Sequence, residues 1–281
     1  MNAPPDEPFI TSPLPDVATW VAAFQRLDIA VLADTSATIE ELRPIEESVD
    51  AHMLSDALGG DPLMTLKVLR HVAALRSARA TTDAETVTAA VVLLGITPFF
   101  RAFQSLPTVE QRLSALPGAL GGLMEVLRRS HRSAQFALGF AVHRMDHDAA
   151  VIHEAALLHD FAEMLLWLHA PSLALSVQRE MAADASLRTV DAQRKVLNVP
   201  LPDVQQALMR QWRLPELLVR ISDDHASVAP QVRSVQLAIR IARHSAQGWD
   251  NPALPDDFAE LGGLLNLGLS HVQQLLLELD A

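Results

Sequence analysis

The sequence predicts an all-α protein, and three observations support this fold class. Alternation of polar and apolar residues, which is typical of strands, does not persist over any stretch, and tyrosine is absent from the 281 residues. Residues that begin and end helices recur along the chain. Hydrophobic residues make up 49% of it, so the helices can bury a large core.

The helices of the first half follow from their start and stop residues. Asp61 followed by Pro62 predicts a helix start, because an Asp side chain caps free backbone N–H groups and Pro fits the first helical position. Thr82 or Asp83 is predicted to cap a later helix, and Gly95 is predicted to end it.

Glycine and proline residues divide the chain into two helical parts. Residues 106–122 contain two prolines and three glycines and are the predicted boundary. We therefore expect a disordered tail at 1–13, an N-terminal helical subdomain at 14–110 and a second helical domain at 111–281. Further helix starts are predicted at Thr97-Pro98, Leu201-Pro202-Asp203 and Leu214-Pro215-Glu216.

Charge and composition exclude several classes of function. The net charge of −12 argues against nucleic acid as a partner, because phosphate binding needs clustered Lys and Arg. No uncharged apolar run reaches about 18 residues, so no membrane span is predicted. The absence of Cys excludes disulfides, zinc–thiolate sites and cysteine catalysis. Residues 1–13 lack the regions of a signal peptide, and a cytoplasmic location is expected.

One basic cluster stands out in this acidic chain. Arg128, Arg129 and Arg132 lie beside His131 in a helical stretch. A solvated helix face explains the cluster more simply than an anion-binding site does, and we favour the solvated face.

The pair His159 and Asp160 is the most informative feature for function. It lies within the apolar stretch 155–166, where a charged Asp must be paired, hydrogen-bonded or bound to metal. Neighbouring helix positions point about 100° apart, so both side chains can reach one ion. The alternative, which the spacing alone favours, is that Asp160 pairs with His153 or with an Arg from another helix.

Five segments in a fixed order carry a family resemblance. They are residues 58–70 (LGGDPLMTLKVLR), 89–95 (AAVVLLG), 129–134 (RSHRSA), 156–163 (ALLHDFAE) and 211–216 (QWRLPE). Together they resemble the HDOD family, the output-domain relatives of the HD metal-dependent phosphohydrolases. The resemblance runs from about residue 31 to residue 245, and it implies an HD-like fold for the C-terminal helical domain.

The resemblance implies a metal site in a degenerate form. His131, His159 and Asp160 would be the first three metal ligands, and His225 is a weak further candidate. The departures from the family pattern concern ligand and neighbouring positions. They are Leu201 where relatives often carry His, Asp224-His225 in place of two His, Ile239 where a closing Asp or Asn is expected, and Glu163 where Lys is common.

The lost ligands favour a regulatory role over catalysis. We expect a non-catalytic signal-transduction module of a bacterial cytoplasm, acting through a protein or a small nucleotide. No cofactor is expected, although weak binding of Mn, Fe, Ni or Mg stays open. The alternative is a residual metal-dependent phosphohydrolase acting on a nucleotide or cyclic dinucleotide. A third alternative is a homodimer formed through the apolar residues 261–279, which we prefer to interpret as core.

Overall fold

The computed structural model of the protein describes residues 8–75, 84–184, 186–223 and 229–280. Within these ranges the chain forms α-helices and one 3₁₀ helix, and no strand. A single isolated bridge joins Val31 to Thr108. The predicted all-α fold class is confirmed. No helix of the described part is long and apolar enough to cross a membrane.

The described residues of the first half of the chain form seven short α-helices. Five of them, α2 to α6, pack in a small bundle in which α3, α4 and α5 contact one another. The bounds are α1 Val17–Arg26, α2 Ala33–Leu42, a 3₁₀ helix Arg43–Ser48, α3 Ala51–Gly59, α4 Pro62–Leu75, α5 Val87–Leu94, α6 Ile96–Ala102 and α7 Val109–Arg112.

The second half is arranged around one long helix, α8. Helices α9, α10, α11, α15 and α17 all pack against α8. The bounds are α8 Pro117–His143, α9 Ala149–Leu157, α10 Phe161–His169, α11 Pro171–Ala183, α12 Thr189–Leu197, α13 Leu201–Gln211, α14 Glu216–Ile221, α15 Pro230–His244, α16 Leu254–Leu265 and α17 Leu269–Leu279.

Most predicted helix starts are confirmed, with one exception. The Asp61 Oδ1 atom accepts hydrogen bonds from the backbone N–H groups of Leu63, at 2.9 Å, and Met64, at 3.1 Å, and so caps α4. The helix that Gly95 ends begins at Val87, with Thr86 as its cap, and therefore starts later than predicted. The predicted caps at positions 82 and 83 lie outside the described residues.

The N-terminal segment lies against the C-terminal half of the protein. The Ile10 backbone N–H donates to the His169 carbonyl at 2.8 Å. The buried Trp20 of α1 donates from Nε1 to the Leu197 carbonyl at 3.1 Å, and α1 packs on α13. Residues 8–13, predicted as part of the disordered tail, thus have defined contacts. The predicted domain boundary between residues 110 and 111 stays a prediction.

The glycines of the predicted boundary lie inside helix α8, which begins at Pro117. Gly122 has a packing role, because a Cβ atom at this position would overlap the Trp167 ring. Gly121 has open space around the same position. Gly122 therefore allows close packing of α8 on α10. The connection between α7 and α8 ends before Pro117.

We expect Gly122→Ala to destabilise the protein by about 1–3 kcal/mol, because the methyl group forces Trp167 from its packed position. Gly121→Ala is the matched control and should be neutral or stabilise by up to about 1 kcal/mol, since Ala favours a helix. Urea denaturation of the two variants measures both effects. Equal free energies of unfolding for the two variants would show that Trp167 can move aside without loss of stability.

Candidate functional site

The His159–Asp160 pair lies in a turn and not, as predicted, within one continuous helix. Helix α9 ends at Leu157, and α10 begins at Phe161. The Asp160 carbonyl accepts from the backbone N–H of Glu163 at 3.0 Å and starts α10. The Asp160 side chain makes no capping bond and is directed to α8 instead.

Arg129 of α8 forms the central ion pair of the site. Its Nε and Nη2 atoms donate to Asp160 Oδ2 at 3.1 and 2.8 Å, and Nη2 also donates to Glu163 Oε2 at 2.8 Å. The Arg129 and Asp160 side chains are only 21% and 14% exposed. The prediction that Asp160 pairs with an Arg from another helix is confirmed, and the favoured reading of the basic cluster as a solvated face is wrong for Arg129.

The second oxygen of Asp160 is also engaged. His159 Nδ1 donates to Asp160 Oδ1 at 3.0 Å, because an ionised carboxylate can only accept. Arg243 of α15 places Nη2 at 3.9 Å from Asp160 Oδ2. Gln205 of α13 holds the turn: its Oε1 accepts from the Ala162 N–H at 3.2 Å, and its Nε2 donates to the His159 carbonyl.

These contacts keep Asp160 ionised. Burial alone would raise the pKa of Asp160, but Arg129, the His159 hydrogen bond and Arg243 together lower it well below its usual value. Burial would likewise lower the pKa of Arg129, whereas Asp160 and Glu163 raise it. The pair is therefore a fixed, partly buried charge pair at neutral pH.

A cavity of about 570 Å³ opens beside this pair. His159, Asp160 and Glu163 line it on one side. Leu201 and Ile239 also line it, so the apolar residues at two expected ligand positions face the same space as the His–Asp pair. The resemblance thus predicted the location of the site, and the departures from the family pattern are concentrated there.

His131 is not among the residues that line this cavity. It is hydrogen-bonded to the Gly60 carbonyl and lies close to Asp61 and His153, and burial lowers its pKa. Residues 129 and 131 point about 200° apart around α8, so Arg129 and His131 face different parts of the protein. The structure brings His159 and Asp160 together without His131.

The remaining predicted ligand position, His225, lies outside the described residues, as does Asp224. The adjacent Asp223 lines the cavity. The metal-site assignment of His131, His159, Asp160 and His225 as a set stays a prediction.

The arrangement of the described residues does not fit a divalent metal. No group of three His, Cys, Asp or Glu side chains in the described part of the chain could hold one. Both Asp160 oxygens accept hydrogen bonds, and the Arg129 guanidinium lies within 2.8 Å of Asp160 and of Glu163. A metal bound to Asp160 would have to replace Arg129 or sit next to its positive charge.

Sequence reasoning missed two residues of the site. Arg129 was noticed only as part of a basic cluster. Its spacing of two residues from His131 could have shown that the two side chains point to different sides of the helix. Gln205 carried no signal, because a Gln on an amphipathic helix is usually exposed, whereas here it is buried and bonded to the turn.

Comparisons with known proteins agree with the fold and identify the family. The family model of the HDOD domain matches residues 29–228. The structure of the response regulator MmoQ from Methylococcus capsulatus str. Bath is similar with a TM-score of 0.64 at 20% identity, covering 89% of this chain and 98% of that chain. A virulence factor from Campylobacter jejuni subsp. jejuni is similar with a TM-score of 0.63 at 16% identity, covering 93% and 94%.

The comparison with curated protein sequences found no match. The two solved structures share the all-helical fold with this chain. The family match covers more than half of the residues, and the five sequence segments and the His–Asp turn all fall within it. The chain therefore belongs to the HDOD domain family.

Proposed function

We propose that the protein is a regulatory HDOD module without metal-dependent catalysis, in which the Arg129 guanidinium takes the place of the metal ion. The observation that carries this proposal is the double contact of Arg129 with Asp160 and Glu163. Membership of a family of output-domain relatives supports the regulatory part.

The chemistry of a guanidinium explains why this site lacks hydrolytic power. Phosphoester hydrolysis in HD enzymes needs a metal that acidifies a bound water and holds the phosphate. A guanidinium neutralises the carboxylates but has no exchangeable ligand position, and it does not act as a Lewis acid. Leu201 and Ile239 add apolar surface where ligands would be needed.

The pair has a structural consequence that suits a signalling module. Arg129, Asp160 and Glu163 join α8 to the start of α10, and Gln205 joins that turn to α13. The walls of the cavity are thereby held in place without a ligand. We propose that the module acts in a bacterial cytoplasm by presenting this cavity, or the helices around it, to a small nucleotide or a protein.

A hydrolysis assay tests the non-catalytic part of the proposal. The chain is incubated with bis(p-nitrophenyl) phosphate and with a cyclic dinucleotide, in the presence of Mn²⁺, Fe²⁺, Ni²⁺ or Mg²⁺ in turn. We expect no turnover that distinguishes the natural chain from a His159→Ala/Asp160→Ala variant. Turnover that requires His159 and a metal would overturn the proposal and support a residual phosphohydrolase.

A further inference from the structure

We propose that the cavity beside Asp160 binds a small organic molecule that carries one anionic group, a phosphate monoester or a carboxylate, which Arg243 and Arg210 recognise. The inference rests on the proposed function, because a site without metal needs its own cations to hold an anion. Four kinds of observation support it: the state of the arginines, two buried polar atoms, the charge of the walls and the size of the cavity.

The arginines near the cavity fall into two groups. Arg129 and Arg240 use their guanidinium groups in short hydrogen bonds to carboxylates. Arg243 and Arg210 make no side-chain hydrogen bond to any described residue, and their only ion pairs are loose, at 3.9 Å to Asp160 and 4.0 Å to Asp223. Both line the cavity, with side chains 48% and 65% exposed. Their donors are available to a ligand.

Two buried polar atoms at the cavity wall lack partners. Gln206 Oε1 and Ser222 Oγ are both buried without a hydrogen bond in the described structure, although both residues line the cavity. Gln206 Nε2 donates to the Ser222 carbonyl at 2.8 Å, which fixes the two residues side by side. Buried polar atoms are nearly always satisfied, and these two lie in the wall of the cavity, so a ligand there could give each a partner if the side chains turn towards it.

The charges of the wall limit the ligand to a single anionic group. Glu163 and Asp160 share the charge of Arg129, so they repel an anion less than free carboxylates would. Asp203 also lines the wall, and its negative charge disfavours a polyanion such as a triphosphate.

The size and the apolar part of the cavity define the rest of the ligand. A volume of about 570 Å³ lies within the range of about 300–1,000 Å³ found for small-molecule sites. Leu201, Pro202 and Ile239 offer an apolar surface. The expected ligand therefore has an apolar or aromatic body, one anionic group and a hydrogen-bond donor that reaches Gln206.

Calorimetric titration of the full chain tests the inference with defined probes. Guanosine 5′-monophosphate represents a phosphate ligand and 6-hydroxy-2-naphthoate a carboxylate ligand, and guanosine and GTP are the comparisons. We expect one of the two probes with a single anionic group to bind more tightly than guanosine and GTP. Arg243→Gln should weaken this binding about ten- to hundredfold, because a charge-assisted hydrogen bond is lost. Arg128→Gln, an exposed change on α8, should leave it unchanged.

The outcomes separate this inference from the proposed function. A natural chain that is free of metal and binds neither probe would overturn the cavity inference and leave the regulatory proposal standing. Binding that Arg243→Gln does not weaken, in a variant shown by its melting temperature to be folded, would also overturn the inference. A binding event that requires added metal would instead overturn the proposed function.

Discussion

Replacement of Arg129 by Met is expected to lower the free energy of unfolding by about 3–5 kcal/mol, the range measured when one partner of a buried ion pair is removed. Met keeps much of the side-chain volume but leaves Asp160 and Glu163 without their shared cation. Urea denaturation at pH 7 measures the loss. Arg128→Met is the matched control, because Arg128 is exposed on the same helix, and its effect should stay within about 0.5 kcal/mol.

A second change should rescue much of this loss. Asp160→Asn removes the carboxylate charge that Arg129→Met leaves unpaired. The double variant Arg129→Met/Asp160→Asn should therefore be more stable than the sum of the two single effects predicts. The contribution of Asp160 to the free energy of unfolding also depends on pH, with a defined sign. The pKa of Asp160 is lowered in the folded state, so its contribution is present above the unfolded pKa and is lost as the pH falls towards the folded value. If the stability losses of Arg129→Met and Asp160→Asn simply add up in the double variant, Arg129 does not interact with Asp160 in solution.

Glu154 is expected to make stability fall as the pH rises through neutrality. This residue of α9 is 4% exposed, and among the described residues its Oε1 accepts a hydrogen bond from the Val87 N–H alone, at 2.9 Å. Burial raises the pKa of Glu154 to about 8, against 4.5 in the unfolded chain. The folded state therefore binds more protons than the unfolded state between these values, and the carboxyl contributes a loss of up to about 1.4 kcal/mol per pH unit.

Glu154→Gln removes this titration while it keeps an acceptor for Val87. We expect the variant to match the natural chain near pH 5 and to exceed its free energy of unfolding by roughly 3 kcal/mol at pH 8. Chemical denaturation at several pH values gives the difference. Glu125→Gln, an exposed change, should leave the pH profile unchanged. Parallel profiles for the natural chain and Glu154→Gln would mean that Glu154 is ionised in the folded protein.

The sequence was sufficient to predict the fold class and the family. Caps such as Asp61 and stops such as Gly95 act through local backbone chemistry, so neighbouring residues are enough to recognise them. The apolar setting of Asp160 required a partner and left His153, an Arg from another helix or a metal as options, and in the structure the partner is an Arg from another helix.

The remaining features depend on contacts between residues that are distant in the chain. Arg129 reaches Asp160, whereas its neighbours do not, because of the rotation of α8 about its axis. The turn at Asp160 is held by hydrogen bonds to Arg129 and Gln205. The role of Gly122 requires the position of Trp167, 45 residues later, which no local pattern contains. Such features are settled by tertiary packing, which overrides local preference.

Elemental analysis is the most direct test of the central claim that a guanidinium replaces the metal at Asp160. The natural chain and a His159→Ala/Asp160→Ala variant are purified without chelators and without a histidine tag, and their manganese, iron and nickel contents are compared. We expect no stoichiometric metal in either protein. Near-stoichiometric metal in the natural chain that disappears in the variant would contradict it and would restore the phosphohydrolase alternative.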